Sequence, residues 1–383
     1  LPRAAVADPL DAYAGLLVGS PAGERHLAYF VSSHGFGHAT RAGAVMAALR
    51  AHDPALNLHV FTEAPAWLFA ESVPGGVTYH RAVTDVGVVQ HSALSEDLPA
   101  TLRRLDDFLP FDPHLLRHWA DWLRQLRCSL VVCDIAPLGL AVAQAAELPS
   151  VLIENFTWDW IYEPYIAAEP GFARHLPSLR VAFALATYHL QAEPICQPDP
   201  AATGTLPPIG RLPRQTRAAT RAALGLAPHE RLVLVTLGGM AGDLPLPPAG
   251  SGPADTVYVV PGGSDEPRRA GQRLLLPHHA AFFHPDLIHA GDAVVGKLGY
   301  STVVEACQAG VPFGYVPRAG FRESPVMAAF VQSHLPSVEI PVDVFPSGGW
   351  GAHAAQLLSH RPSPPAAPNG ADVAADYILG WMA

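Results

Sequence analysis

Lysine, cysteine, basic charge and long apolar runs are all scarce in this chain, and each scarcity removes a class of function. A single lysine, Lys297, stands among 383 residues, and every other basic group is an arginine. Acidic residues outnumber basic ones by 34 to 24, and no basic run is present. That balance argues against general nucleic-acid binding, which needs a basic face against the phosphates. Tight docking on anionic lipid is disfavoured on the same ground. No stretch approaches the ~18 uninterrupted apolar residues of a spanning helix. The opening segment LPRAAVADPLDAYAGLLVGS has a short apolar core broken by Asp8, Pro9 and Asp11, which is not the pattern of a secretory leader. The chain opens on Leu and not Met, which leaves room for residues upstream. A soluble, cytoplasmic protein without an integral membrane segment is expected. The four cysteines, Cys128, Cys133, Cys196 and Cys307, form no C-x-x-C. Neither a zinc ribbon nor a redox pair is therefore indicated, and buried thiols are expected. No metal and no cofactor is called for.

What is present reads as a folded α/β protein. Hydrophobic residues make up 49% and charged residues 15%, a composition with ample core. At about 150 residues per domain the length suggests two domains. Apolar strand-like runs alternate with helix-like stretches, the pattern of parallel sheets. In the first half strands are expected at 26–32, 58–62, 77–81, 129–134 and 150–154. Helices are expected at 39–52, 101–109, 114–126 and 138–147, with a long loop at 84–99. In the second half strands are expected at 231–237, 256–260, 273–275, 293–296 and 313–316. The boundaries follow: a first domain over 1–195, a Pro-rich linker over 196–213, a second domain over 214–360, and a terminal helix within 361–383.

Three strand ends carry the chemistry. SHGFGHATR follows the first strand and opens the first helix. Gly35 and Gly37 let the backbone turn sharply and let a ligand approach closely. His38, at the helix start, should favour the neutral form that a general base needs. Alternatively, His38 or His34 bonds the turn backbone and has only a structural role. Asp134 ends a second strand, where it could orient His38 or cap the helix that follows. GKLGYSTVVEACQAGVPF repeats the strand, glycine turn and helix in the second half. Gly299 opens that turn, and the N–H groups around Tyr300, Ser301 and Thr302 would face a phosphate. Lys297 adds a point charge beside it, and Glu305 could accept two ribose hydroxyls. Gly238 and Gly239, closing the strand at 231–237, belong to the same side. Arg318 and Glu323, in PRAGFRESP, could reach a sugar or simply pair at the surface. His278, His279, His284 and His289 recur on no single helical face, so metal binding there is not expected.

These residues resemble a known family. SHGFGHATR, ENFTWDWIYEPY, HPDLIHAGDAVVGKLGYSTVVEA and PRAGFRESP are similar to the glycosyltransferase-like N-terminal half of plant L-arabinokinases and their bacterial relatives. More distantly, the glycine–histidine turn and the G-x-x-T-x-x-E pattern resemble the transferase that adds N-acetylglucosamine in peptidoglycan synthesis. The resemblance spans roughly 26–335 and implies the GT-B fold: two Rossmann-like domains facing a cleft. It places an acceptor on the first domain and a nucleotide-sugar on the second, with Gly299, Thr302 and Glu305 holding the nucleotide. It also implies a final helix crossing back to the first domain. No P-x-x-x-G-L-x-S-S-A loop is present, so sugar-kinase activity does not carry over.

The expected function is an inverting, metal-independent glycosyltransferase that uses a nucleotide-diphosphate sugar, most simply a UDP-sugar. His38 and Asp134 would be catalytic. His34, Gly35, Gly37, Asn155 and Trp158 would line the acceptor side. The alternatives are a GT-B nucleotide-sugar epimerase and a non-catalytic nucleotide-sugar binding module.

Overall fold

The computed structural model describes residues 24–92, 95–237, 246–248, 252–277, 282–363 and 368–383. Gly238, Gly239, His278 and His279 lie outside the described residues. The first half builds β1 (His26–Val31), β2 (Asn57–Thr62) and β3 (Thr78–Arg81), then a small hairpin of β4 (Gln90–Ser92) and β5 (Ser95–Glu96). β6 (Cys128–Asp134), β7 (Ser150–Glu154), β8 (Tyr188–Ala192) and β9 (Gly204–Leu206) follow. Seven of these form a wholly parallel sheet in the order β3-β2-β1-β6-β7-β8-β9.

Parallel strands with helices on both faces need apolar residues on both sides, and β1 shows this fully. Leu27, Tyr29 and Val31 enter one core, while Ala28 and Phe30 enter the other. The helix Gly37–His52 is buried almost all the way round. It is packed among the sheet, the helices Ala66–Ser72 and Gly370–Trp381, and the helix Tyr300–Ala309 of the second half.

β10 (Arg231–Thr236), β11 (Thr256–Pro261), β12 (Arg268–Ala270), β13 (Arg273–Leu276), β14 (Ala293–Lys297), β15 (Phe313–Val316) and β16 (Ser337–Glu339) form the second sheet. Its order is β12-β13-β11-β10-β14-β15-β16, parallel except for the β12–β13 pair. Each sheet reverses its winding once, between β1 and β6 and between β10 and β14. Open α/β sheets bind ligands outside the strand C-termini at such a reversal.

Two features differ from the sequence expectation. β9 lies inside the Pro-rich segment 196–213 and is hydrogen-bonded to β8, so part of that segment is the edge of the first sheet. The loop at 84–99 carries the β4–β5 hairpin. The helix Gly370–Trp381 packs on the first half through Ala371, Ala374, Ala375 and Ile378, and its Trp381 ring stacks on Tyr188 at 3.9 Å. No helix among the described residues is long and apolar enough to cross a membrane.

Gly296 tests the second sheet. A methyl group built there would run into the backbone carbonyl of Thr236 on the neighbouring strand, which has no free end to swing aside. Gly296→Ala is expected to lower stability by about 1–3 kcal/mol, as overpacking does. An unchanged midpoint in urea would show that β10 and β14 can part at no cost.

Candidate active site

Both winding reversals deliver their motifs to one cleft. In the first half, Val31 of β1 lies in register with Asp134 of β6, and Ser32 N–H donates to the Asp134 carbonyl at 3.2 Å. Gly35 turns the chain with φ +67°, and a side chain there would meet only open space. The following helix then carries His38 and Arg41 back over the strand ends. Ile135, just after Asp134, has φ +42°, a strained setting for a β-branched residue. It bends the chain so that the Asp134 side chain stays at the strand end while the helix Pro137–Ala146 starts beyond it. That helix has no side-chain cap, so Asp134 is not serving as one.

Asp134 is fully buried and faces the helix instead. Its Oδ1 lies 2.9 Å from His38 Nδ1, and Arg41 grips both carboxylate oxygens at 2.7 Å. Burial would raise the Asp134 pKa, but Arg41 and His38 outweigh it and hold the carboxyl below its ordinary value. An ionised carboxylate can only accept, so His38 Nδ1 carries the proton and the Nε2 lone pair is left for the cleft. The tautomer is thus assigned from the bonding pattern. His34 is turned differently: its Nδ1 accepts from Val88 N–H at 3.2 Å, and its ring stacks on Phe321. Burial, helped by Arg318, His38 and Lys297, keeps it well below its ordinary pKa. Trp158 stands behind His34 and donates to Asp85 at 2.7 Å, and burial pushes the Asp85 carboxyl up to about 6.

The second half contributes the end of β14 and the helix Tyr300–Ala309. Gly299 precedes this helix in extended backbone, and a side chain there would meet nothing within 4 Å, so the helix N-terminus faces open space. Lys297 has no ion-pair partner among the described residues; burial and Arg318 bring its pKa down to about 8, with Glu323 opposing. Arg318 pairs with Glu96 of β5 at 3.1 Å and lies over the Phe321 ring at 3.9 Å. Its Nε is buried without a partner among the described residues. Glu323 accepts from Asn155 of the first half at 2.7 Å, yet burial still raises its pKa. Neither Arg318 nor Glu323 forms a surface pair, since each is 5% exposed.

Most of the residues singled out in the sequence therefore meet. His34, Gly35, Gly37, His38, Lys297, Gly299, Tyr300, Ser301, Thr302, Arg318 and Glu323 line one cavity of about 70 Å³. Asp134 and Asn155 stand behind it. That volume is small against the ~300–1,000 Å³ of an ordinary ligand pocket. Glu305 is not in this group. Its carboxylate is taken by Arg211 Nε at 2.8 Å and by His284 Nδ1 at 3.3 Å. Burial opposes its ionisation, but those two partners prevail and its pKa is lowered. Arg211 also reaches Glu71 of the first half at 2.8 Å. Arg41, Glu96, Asp85 and Arg211 were not anticipated. Only Arg41 carried a signal, as the last residue of SHGFGHATR three positions beyond His38.

Two Rossmann-like halves whose strand ends face a shared cleft define the GT-B fold, and solved structures over the full length agree. UGT89C1 of Arabidopsis thaliana, solved with quercetin, is 13% identical with a TM-score of 0.58, covering 94% of this chain and 99% of that one. LpCGTa, solved in complex with UDP, is 16% identical with a TM-score of 0.56, covering 93% and 94%. MurG of Acinetobacter baumannii is 12% identical with a TM-score of 0.50, covering 93% and 99%. In sequence, the chain is similar to L-arabinokinase of Arabidopsis thaliana, at 30% identity over 370 residues. The alignment takes in 94% of this chain and 35% of that protein, so the chain spans about a third of the relative's length. No protein-family model matches it.

Proposed function

We propose that this chain is a glycosyltransferase that moves a sugar from a nucleotide diphosphate, most simply UDP, to an acceptor hydroxyl with inversion and without a metal. The observation that carries this reading is the convergence of His38, held by Asp134, with Lys297 and the Gly299 helix start in one cleft. Nε2 of His38 takes the proton of the acceptor hydroxyl. The acceptor oxygen forms its bond to the anomeric carbon as the bond to the diphosphate breaks. The charge that develops on the diphosphate falls on the N-terminus of the helix Tyr300–Ala309 and on Lys297. Such fixed charge is the stabilisation that a divalent ion would otherwise supply. In this reading the acceptor lies against the first half, near His34 and Trp158, and the donor against the second.

A thermal-shift panel of UDP, GDP, dTDP, ADP and CMP, on wild type and Lys297→Met, tests the donor side. Lys297 lines the cavity and has no ion-pair partner among the described residues, so its removal strands no buried charge. A ligand at about 100 times its Kd adds roughly 2.7 kcal/mol, a rise of a few degrees. One nucleotide is expected to raise the wild-type melting point and to lose most of that effect in Lys297→Met. No shift with any nucleotide would overturn the donor site.

A further inference from the structure

The reaction above gives no task to Arg41, the most extensively bonded cation of the site. It lies one helical turn beyond His38 and is 1% exposed. Its Nε and Nη2 clamp Asp134, and its Nη1 donates to Asn155 Oδ1 at 2.7 Å. Its guanidinium sits 4.7 Å over the ring of Tyr300, which belongs to the donor turn of the second half. Asn155 in turn donates to Glu323, also in the second half, at 2.7 Å. An unbroken series of contacts thus runs from His38 through Asp134, Arg41 and Asn155 to Glu323.

We infer that Arg41 is a positioning residue that sets the proton affinity of His38 and ties its orientation to closure of the two halves. This rests on the transfer reading only where turnover is concerned. A buried carboxylate facing an imidazole would by itself draw a proton onto the ring and leave no base. Arg41 compensates that charge on both oxygens, so Asp134 orients the ring without its full charge acting on it. A buried cation is tolerated only with its full set of partners. One of those for Arg41, the Tyr300 ring, exists only when the halves are together, as does the Glu323 bond that holds its partner Asn155. Parting the halves loosens Arg41, and with it the hold on Asp134 and His38.

The charged and titratable groups around His38 give the sign. Asp134, Asp85 and Glu323 are the acids that face His38, while the Arg41 guanidinium, 3.3 Å from its Nδ1, and His34 face it from the other side of the charge balance. Removing the guanidinium takes away the cation nearest the ring. In Arg41→Met the His38 midpoint, followed by ring NMR without nucleotide and assigned with His38→Gln, is expected to rise by about 1–3 pH units. In Arg41→Lys the charge persists but the fork is lost, so a smaller rise is expected. Asn155→Ala should leave the midpoint in place while kcat falls about tenfold or more at nearly constant donor KM. An unchanged midpoint in Arg41→Met overturns the proposal whether or not transfer is ever detected. If that variant does not fold, an unchanged midpoint in Arg41→Lys does the same. Wild-type kcat in Asn155→Ala removes the link to closure. Absence of turnover in wild type counts against the transferase reading alone, since the NMR midpoints do not depend on it.

Discussion

His38→Ala is expected to cut turnover by about 10²–10⁴-fold while nucleotide affinity stays near that of wild type. His38 is the one titratable side chain that lines the cleft with its second ring nitrogen held by a carboxylate. It faces Lys297 and the Gly299 turn only across the cavity, so under the proposed reaction its loss should act on the chemical step and leave the donor KM alone. The expected factor corresponds to about 3–5 kcal/mol in the barrier. Asp134 is a poorer target for the same question. Asp134→Asn would leave Arg41 buried beside a neutral amide, and loss of folding would mask any loss of catalysis. Near-normal turnover in His38→Ala would remove His38 from the role of base. A large rise in donor KM instead would place it in binding.

The strands that build the cleft are the ones the sequence shows best, and the reason is burial. β1, β6, β7, β10, β14 and β15 are central strands covered on both faces, so they read as short apolar runs, closed by an acid in β6 and β7. Motifs placed at those ends inherit the same legibility. No element is expected from the sequence over 176–192, where a short helix and a short strand follow each other with no proline or glycine between them. β9 has three residues, too few for any period to show, and its neighbours are prolines that read as a connector. The helix Gly37–His52 has no polar face because other elements cover it on every side, so amphipathicity alone would have mistaken its surroundings.

Pairing across the cleft is harder still to read. Glu96 meets Arg318 at a separation of 222 residues, and Asn155 meets Glu323 at 168. Neither pair has a local signature, since a carboxylate or an amide near a glycine fits many surroundings. Arg211 shows the same limit from the other side. In RLPRQ it looks like a linker arginine, yet it bonds Glu71 in one half and Glu305 in the other. The sequence therefore located the groups that could act on a ligand better than the groups that hold them.

A second large effect is expected far from the cleft, in acid. His26, His59 and His80 stand side by side on β1, β2 and β3, all buried. His59 Nε2 lies 3.0 Å from His26 Nδ1, and His59 Nδ1 lies 3.2 Å from His80 Nε2. Burial, with His80 and His26 adding, lowers the His59 pKa to about 3, and burial lowers that of His80 to about 4. Unfolded histidine takes its proton near pH 6.5. Above that pH neither state is protonated at these positions, and the two histidines cost nothing. As pH falls from about 6.5 toward 3 or 4, the unfolded chain gains protons that the folded chain refuses, and stability drops. At pH 5 each group has crossed about 1.5 pH units, so the pair removes roughly 4 kcal/mol, a large share of an ordinary ~5–15 kcal/mol total. Urea midpoints at pH 7.5 and pH 5.0 should show this loss in wild type. His59→Leu, whatever its absolute stability, should cut the difference between the two pH values by about half, because one of the two depressed groups is gone. An equal loss in both proteins would mean that the strain of acid falls elsewhere, and that the three stacked rings accept protons as readily in the sheet as in water.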